Sequence, residues 1–206
     1  MIIIAQSTYS NIEVGLHAKN QLIRSATIEK KDACAQLVPT LDALLHTEGI
    51  TLSNITQIVV NLGPAPFSSL RTVITTMNGI SFAAGIPLVG VSVFDALNYE
   101  YNSENNHDLL IVLRAYSKEY YYGFYAPGKE PMIGMCASDQ LPPVSLAADT
   151  HIIGHPDALA PELQQNLAIT PVTYASLEAV AQAGINKIKE HVPALHHLSP
   201  LYIKNY

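Results

Sequence analysis

Cysteine is nearly absent from this chain: Cys34 and Cys136 are two isolated thiols among 206 residues. That excludes a disulfide framework and implies a reducing compartment, the cytoplasm. Charge is scarce as well, 14% of residues against a hydrophobic share of 49%, which suits a well-buried globular protein. No run approaches the roughly 20 apolar residues that span a bilayer, so no membrane attachment is expected. Met1-Ile-Ile-Ile-Ala5 lacks a basic flank and is too short for a secretion signal, so it reads as a first strand. Positive charge is scarcer than negative. Lys and Arg total 11, the net charge is −6, and the basic residues are scattered along the chain, Lys187, Lys189 and Lys204 among them. A protein that holds nucleic acid by itself needs a basic stripe to neutralise phosphates, so an autonomous binder is excluded.

The patterning predicts an α/β fold. Met1–Ser7, Asn11–Ala18 and Gln21–Ile28 alternate as strands between turn-prone residues, forming an antiparallel meander. Cys34, Leu37, Val38, Leu41, Leu44 and Leu45 recur at helical spacing, with Gly49 as the stop. Gln57–Leu62 is a continuous apolar strand, as expected where both faces are buried. A second helix runs from about Ser69 to Ala84, capped by Ser68 or Ser69 and closed by Gly85-Ile86-Pro87. Leu88–Val91 reads as a strand and Val93–Tyr99 as a helix.

A polar break over Asn98–His107 divides residues 1–100 from a smaller lobe, residues 101–206. In the second lobe Leu109–Leu113, Glu119–Tyr125, Pro131–Cys136 and His151–Ile153 are strand-like. Gln140–Leu146 is irregular, Ala175–His191 is helical, and Pro200–Lys204 is extended. The order β-β-β-α-β-α therefore occurs twice, the second copy degraded.

The segment most capable of chemistry is Asn61-Leu-Gly-Pro-Ala-Pro-Phe-Ser-Ser-Leu-Arg71, between a strand and a helix N-terminus. A phosphate cradle there needs consecutive backbone N–H groups. Pro64 and Pro66 remove two of them and Gly63 is the lone glycine, which favours a rigid turn. Arg71, in the first helical turn, sits at the unfavourable end of the helix dipole; a carboxylate or partner contact and a solvated side chain both account for it. Leu70, Val73, Ile74, Met77 and Ile80 form one apolar face of this helix. Thr72, Thr75, Thr76, Gly79 and Ala83 form a small, weakly polar side. Packing within the domain and docking on another subunit both explain that division.

Other constellations are weak. His151 and His155 are four apart, but Gly154 and Pro156 break any helical pair, and His196-His197 point apart. No nucleophile elbow is present. Tyr120, Tyr121, Tyr122 and Tyr125 lack the basic neighbours of a base-stacking platform and suit a packed sheet.

The Gly63–Arg71 segment, Gly79, and Ala84-Gly-Ile-Pro-Leu-Val-Gly-Val-Ser-Val-Phe-Asp-Ala-Leu97 resemble the signature of the bacterial tRNA threonylcarbamoyladenosine biosynthesis protein TsaB (YeaZ-like). That family reads G-P-G-S-F-T-G-L-R, then G-I-P-V-V-G-V-S-S-L-E-A-L. Arg114–Tyr121 falls where it has D-A-R-x-x-E-V-Y, and Pro200–Lys204 resembles its closing P-x-Y-L-R.

The resemblance implies a two-lobed actin-like ATPase (ASKHA, RNase H-like) fold with mixed sheets. It implies a non-catalytic subunit that pairs with TsaD, the transferase acting on adenosine 37 of tRNA, with the ATPase TsaE joining them. A homodimer through the same surface is also implied, and tRNA is reached only through the complex. Carried onto this chain, the docking surface comprises Leu37, Leu41, Leu44, Leu45, Arg71, Val73, Ile74, Met77 and Ile80. The motif turn comprises Gly63, Pro64, Phe67, Ser68 and Arg71.

The departures are Gln6 for the strand-ending aspartate, Ala65 and Ser69 for glycines, Pro66 for serine, and Arg114 for aspartate. They argue against a catalytic residue, a metal or a cofactor of its own. ATP or ADP with magnesium is expected only at the joint surface. The competing expectation is a small actin-like phosphotransferase or hydrolase acting alone.

Overall fold

The computed structural model describes residues 1–104, 106–190, 193 and 195–203. In chain order the elements are β1 (Ile2–Ser7), β2 (Asn11–Ala18), β3 (Gln21–Glu29), α1 (Ala33–Thr47), β4 (Gln57–Asn61), α2 (Phe67–Ala84), β5 (Leu88–Val91) and α3 (Val93–Tyr101). They continue with β6 (Leu109–Arg114), β7 (Glu119–Tyr125), β8 (Met132–Ala137), β9 (His151–Gly154), α4 (Pro161–Asn166), β10 (Ile169–Pro171) and α5 (Leu177–Lys189). Two compact units result. One holds Met1–Ala96 with Ser176–Leu201; the other holds Leu97–Ala175 with the described residues from Tyr202. The sequence places the division at residues 100 and 101. The structure places it at Ala96 and Leu97, and returns α5 to the first unit, because the apolar side of α5 is buried on the first sheet.

The first sheet has the order β3-β2-β1-β4-β5. β1, β2 and β3 form the expected antiparallel meander, and β1, β4 and β5 run parallel. Alternation then decides which helix covers which face. Ile3, Ala5, Ile12, Val14, Leu16, Ile58 and Val60 join Leu37, Leu41, Val73 and Met77 of α1 and α2 in one core. On the opposite face Val59 meets α5 at Gly184. β4 is buried on both sides for this reason, as its unbroken apolar run predicts.

The second sheet has the order β10-β9-β6-β7-β8, the same path in the same hand-over of strands. β6, β7 and β8 are antiparallel, while β9 and β10 lie parallel to β6. In register Gln6 opposes Glu13, and Leu113, its counterpart in the repeat, opposes Tyr121. Likewise Asn61 ends β4 at the position where His155 follows β9. The degraded repeat in the sequence is thus a genuine repeat of topology. What is lost is the first helix: irregular structure with Pro142 and Pro143 links β8 to β9.

α4 and β10 have no counterpart in the sequence pattern; six and three residues are too few to display a period. The helix expected to reach His191 ends at Lys189, and His191 itself, like Asn105 in the polar break and Lys204 in the tail, lies outside the described residues.

Candidate functional site

The segment 61–71 leaves β4 through a turn closed by its own hydrogen bonds. Asn61 is buried, and its Oδ1 accepts the Gly63 N–H at 2.9 Å. Asn61 Nδ2 donates to Gln6 Oε1 at 3.2 Å, and Gln6 Nε2 donates to Glu13 Oε2 at 2.7 Å. A second link ties β1 to the helix: Ser7 Oγ donates to Ser69 Oγ at 2.8 Å, and Ser69 Oγ donates to the Pro66 carbonyl at 3.1 Å. Ser69, which stands where the motif has glycine, therefore fastens the start of α2. The expected serine cap is corrected: the helix begins at Phe67 with Pro66 as N-cap, and no side chain caps it. Proline there fixes φ and directs the chain into the first turn without one.

Arg71 consequently lies one turn inside the helix. Its guanidinium carbon sits 3.7 Å from the centroid of the Phe67 ring, an i,i+4 cation–π contact on the exposed side. Of the motif turn, Gly63 and Pro64 are buried, while Phe67, Ser68 and Arg71 are exposed.

The docking residues expected from the sequence need correction. Leu37, Leu41, Leu44, Leu45, Val73, Ile74 and Met77 are all buried in the core of the first unit, and Ile80 packs against it half-buried. Met77 is 0% exposed. Helical period identifies an apolar face, but the nearest apolar partner is the chain's own sheet, and that contact wins. Arg71 alone of the set is exposed.

The outward face is the small-residue side. Ser68, Thr75, Gly79 and Ala83 are exposed, and Phe82 among them is 89% exposed. Beside it on α1 lie Cys34 and Val38, the latter 53% exposed, and Cys34 Sγ is 3.8 Å from Thr72 Oγ1. The sequence pattern counts Cys34 and Val38 into the apolar stripe of α1, and the structure leaves both exposed; Phe82 carries no sequence expectation. The available signal was an aromatic residue on the wrong side of α2, seven positions after Thr75 and three after Gly79.

At the matching strand end of the second unit, His155 is buried and fully engaged. Its Nδ1 accepts the Arg114 N–H at 2.9 Å and its Nε2 faces the Thr173 carbonyl at 2.9 Å. One acceptor and one donor role define a neutral imidazole with the proton on Nε2. Burial holds its pKa below the ordinary histidine value, and the Arg114 charge adds to the lowering, against the Thr173 hydrogen bond and the Asp157 charge. Arg114 forms an exposed ion pair with Asp157. Gly154 precedes this histidine with φ of +128°, and a β-carbon there would collide with the Val112 carbonyl.

The donors at the strand end of the first unit do not fit a magnesium nucleotide. The neutral Gln6 amide bridges Glu13 and Asn61, where a hard cation prefers anionic oxygen. The Gly63 N–H is committed to Asn61, and Pro64 and Pro66 have none. Among the described residues no three His, Cys, Asp or Glu side chains could share a metal, and no helix is long and apolar enough to cross a membrane.

Comparison with known proteins agrees with this architecture. A family model described as TsaD, tRNA N6-adenosine threonylcarbamoyltransferase, matches residues 26–139. A Mycobacterium tuberculosis protein described as uncharacterized is 27% identical over 57% of this chain and 55% of its own length. TsaB of Buchnera aphidicola, a tRNA threonylcarbamoyladenosine biosynthesis protein, is 21% identical over 61% and 60%. The chain thus spans little more than half the length of these relatives. YeaZ from Pseudomonas aeruginosa superposes with a TM-score of 0.75 at 17% identity, over 98% of both chains. A second Pseudomonas aeruginosa structure, described by its similarity to peptidase YEAZ, gives 0.77 at 18%, over 98% of this chain and 99% of its own. With the TsaD family model matching more than half of its length and the YeaZ fold running through both of its units, the chain belongs to the tRNA N6-adenosine threonylcarbamoyltransferase (TsaD) family and shares the two-sheet α/β fold of YeaZ.

Proposed function

We propose that this chain is a non-catalytic subunit of the assembly that forms N6-threonylcarbamoyladenosine at position 37 of tRNA, and that it binds and stabilises the catalytic subunit TsaD. The observation that carries this reading is the outward face of α2. A glycine inside a helix costs about 1 kcal/mol relative to alanine. Among the described residues nothing outside the helix's own backbone lies within 4 Å of the position a β-carbon on Gly79 would take, so no contact among them requires its absence. A second backbone approaching there does require it, and Phe82 and Val38 on the same surface supply apolar anchors.

TsaE joins this assembly, and a homodimer would use the same face. The net charge of −6 suits a subunit that meets tRNA only through its partner. ATP or ADP with magnesium belongs at the joint surface, since the strand end of the first unit has the wrong donors. The assembly is cytoplasmic.

Sedimentation of the chain with TsaD tests the reading. A heterodimer is expected, and Phe82→Asp and Gly79→Arg should each weaken it by about tenfold or more. Unchanged association in both variants would remove the face from the proposal. Turnover of Mg-ATP by the isolated chain would instead support the lone phosphotransferase or hydrolase.

A further inference from the structure

Glu13 belongs to no motif and is absent from the outward face of α1 and α2, yet a directed chain of hydrogen bonds ends on it. An ionised carboxylate only accepts. Its 2.7 Å contact therefore turns the Gln6 amide nitrogen toward Glu13 and the amide oxygen away. That oxygen takes the Asn61 Nδ2 donor at 3.2 Å, which leaves Asn61 Oδ1 for the Gly63 N–H at 2.9 Å. Each orientation is dictated by the one before it. Gln6 and Asn61 are 1% and 2% exposed, so neither amide can exchange its protein partners for bulk water.

We propose that Glu13 is a positioning residue: acting through Gln6 and Asn61, it sets the exit of β4 into the turn that opens α2. The anion at position 13 and the amide at position 6 then form one unit. A carboxylate at position 6 cannot face the Glu13 carboxylate, because both would be acceptors of like charge. If the two are exchanged, the amide at position 13 donates to the carboxylate at position 6, which still accepts from Asn61, and the direction of the relay is kept. This inference does not depend on the identity of any partner.

Amide hydrogen exchange at Gly63, read by NMR on the full chain, is the direct measurement. Gln6→Glu and Glu13→Ala should each speed Gly63 exchange about tenfold, and Gln6→Glu combined with Glu13→Gln should bring it back to within about threefold of the parent. The Leu22 amide, which donates to Glu178 elsewhere in the sheet, serves as the unaffected control. Gly63 exchange that is unchanged in Glu13→Ala, or no slower in the exchanged pair than in Gln6→Glu alone, overturns the proposal. Should Gln6→Glu fail to fold, the single Glu13 variants decide. Glu13→Gln keeps an acceptor and should stay nearer the parent than Glu13→Ala; equal rates in the two would overturn it.

Discussion

A β-carbon on Gly184 would lie 2.5 Å from Val59 Cγ1, so the backbone of α5 rests against the middle of β4. That contact closes the second face of the first sheet with residues from the far end of the chain. Gly184→Ala should destabilise the fold by about 1–3 kcal/mol through overpacking, offset by up to about 1 kcal/mol of helix propensity. Denaturant titration gives the balance, and a net loss is expected because a fully buried valine on a central strand has little room to retreat.

The two sides of α2 should respond oppositely to charge. Met77→Glu buries an unpaired carboxylate in the core beneath α1 and α2, and should cost at least about 3 kcal/mol or prevent folding. Phe82→Asp touches an exposed position and should shift stability by no more than about 0.5 kcal/mol. Thermal melts of the two variants separate core from surface.

His155 makes stability depend on pH with a definite sign. Its folded pKa is depressed below 6.5, chiefly by burial, so between the two values the unfolded chain binds more protons. Its contribution is complete above the unfolded value and is lost as pH falls through 6.5 toward the folded value. His155→Gln should flatten the part of the slope that this residue supplies, at a cost in stability at neutral pH. Melting temperatures measured from about pH 7.5 down to about pH 5, across the histidine window, test this.

Glu178 fastens the end of the β2–β3 hairpin to α5. Its carboxylate accepts the Leu22 N–H at 2.9 Å, meets the buried His17 imidazole at 3.2 Å, and accepts from Gln182 at 2.7 Å. Glu178→Ala strips partners from a backbone donor and a buried ring together. A loss of about 1–3 kcal/mol is expected, together with faster amide exchange at Leu22.

Much of this fold is legible in the sequence because its elements are long enough to show a period. The 8- and 9-residue strands β2 and β3 alternate, and the 15 and 18 residues of α1 and α2 carry clear apolar stripes. The motif turn is equally plain from its prolines. Glu13 and Asn61 are not legible as partners of one relay, since they are distant in sequence and are linked through Gln6 only because β2 and β4 flank β1.

By itself the sequence determined the strand meander, the helix positions, the rigid turn at Gly63–Pro66 and the family resemblance. Each of these depends on local chemistry: side-chain period, proline's fixed φ, and residue identity at a motif. The use of each helix face was decided only in the tertiary structure. An apolar stripe is attracted by any apolar surface, without direction. The first sheet took the stripe of Leu37, Val73 and Met77, and Phe82 was left outward on the small side of α2. The same packing brought α5 back to the first unit and joined Glu13 to Gly63 through two buried amides.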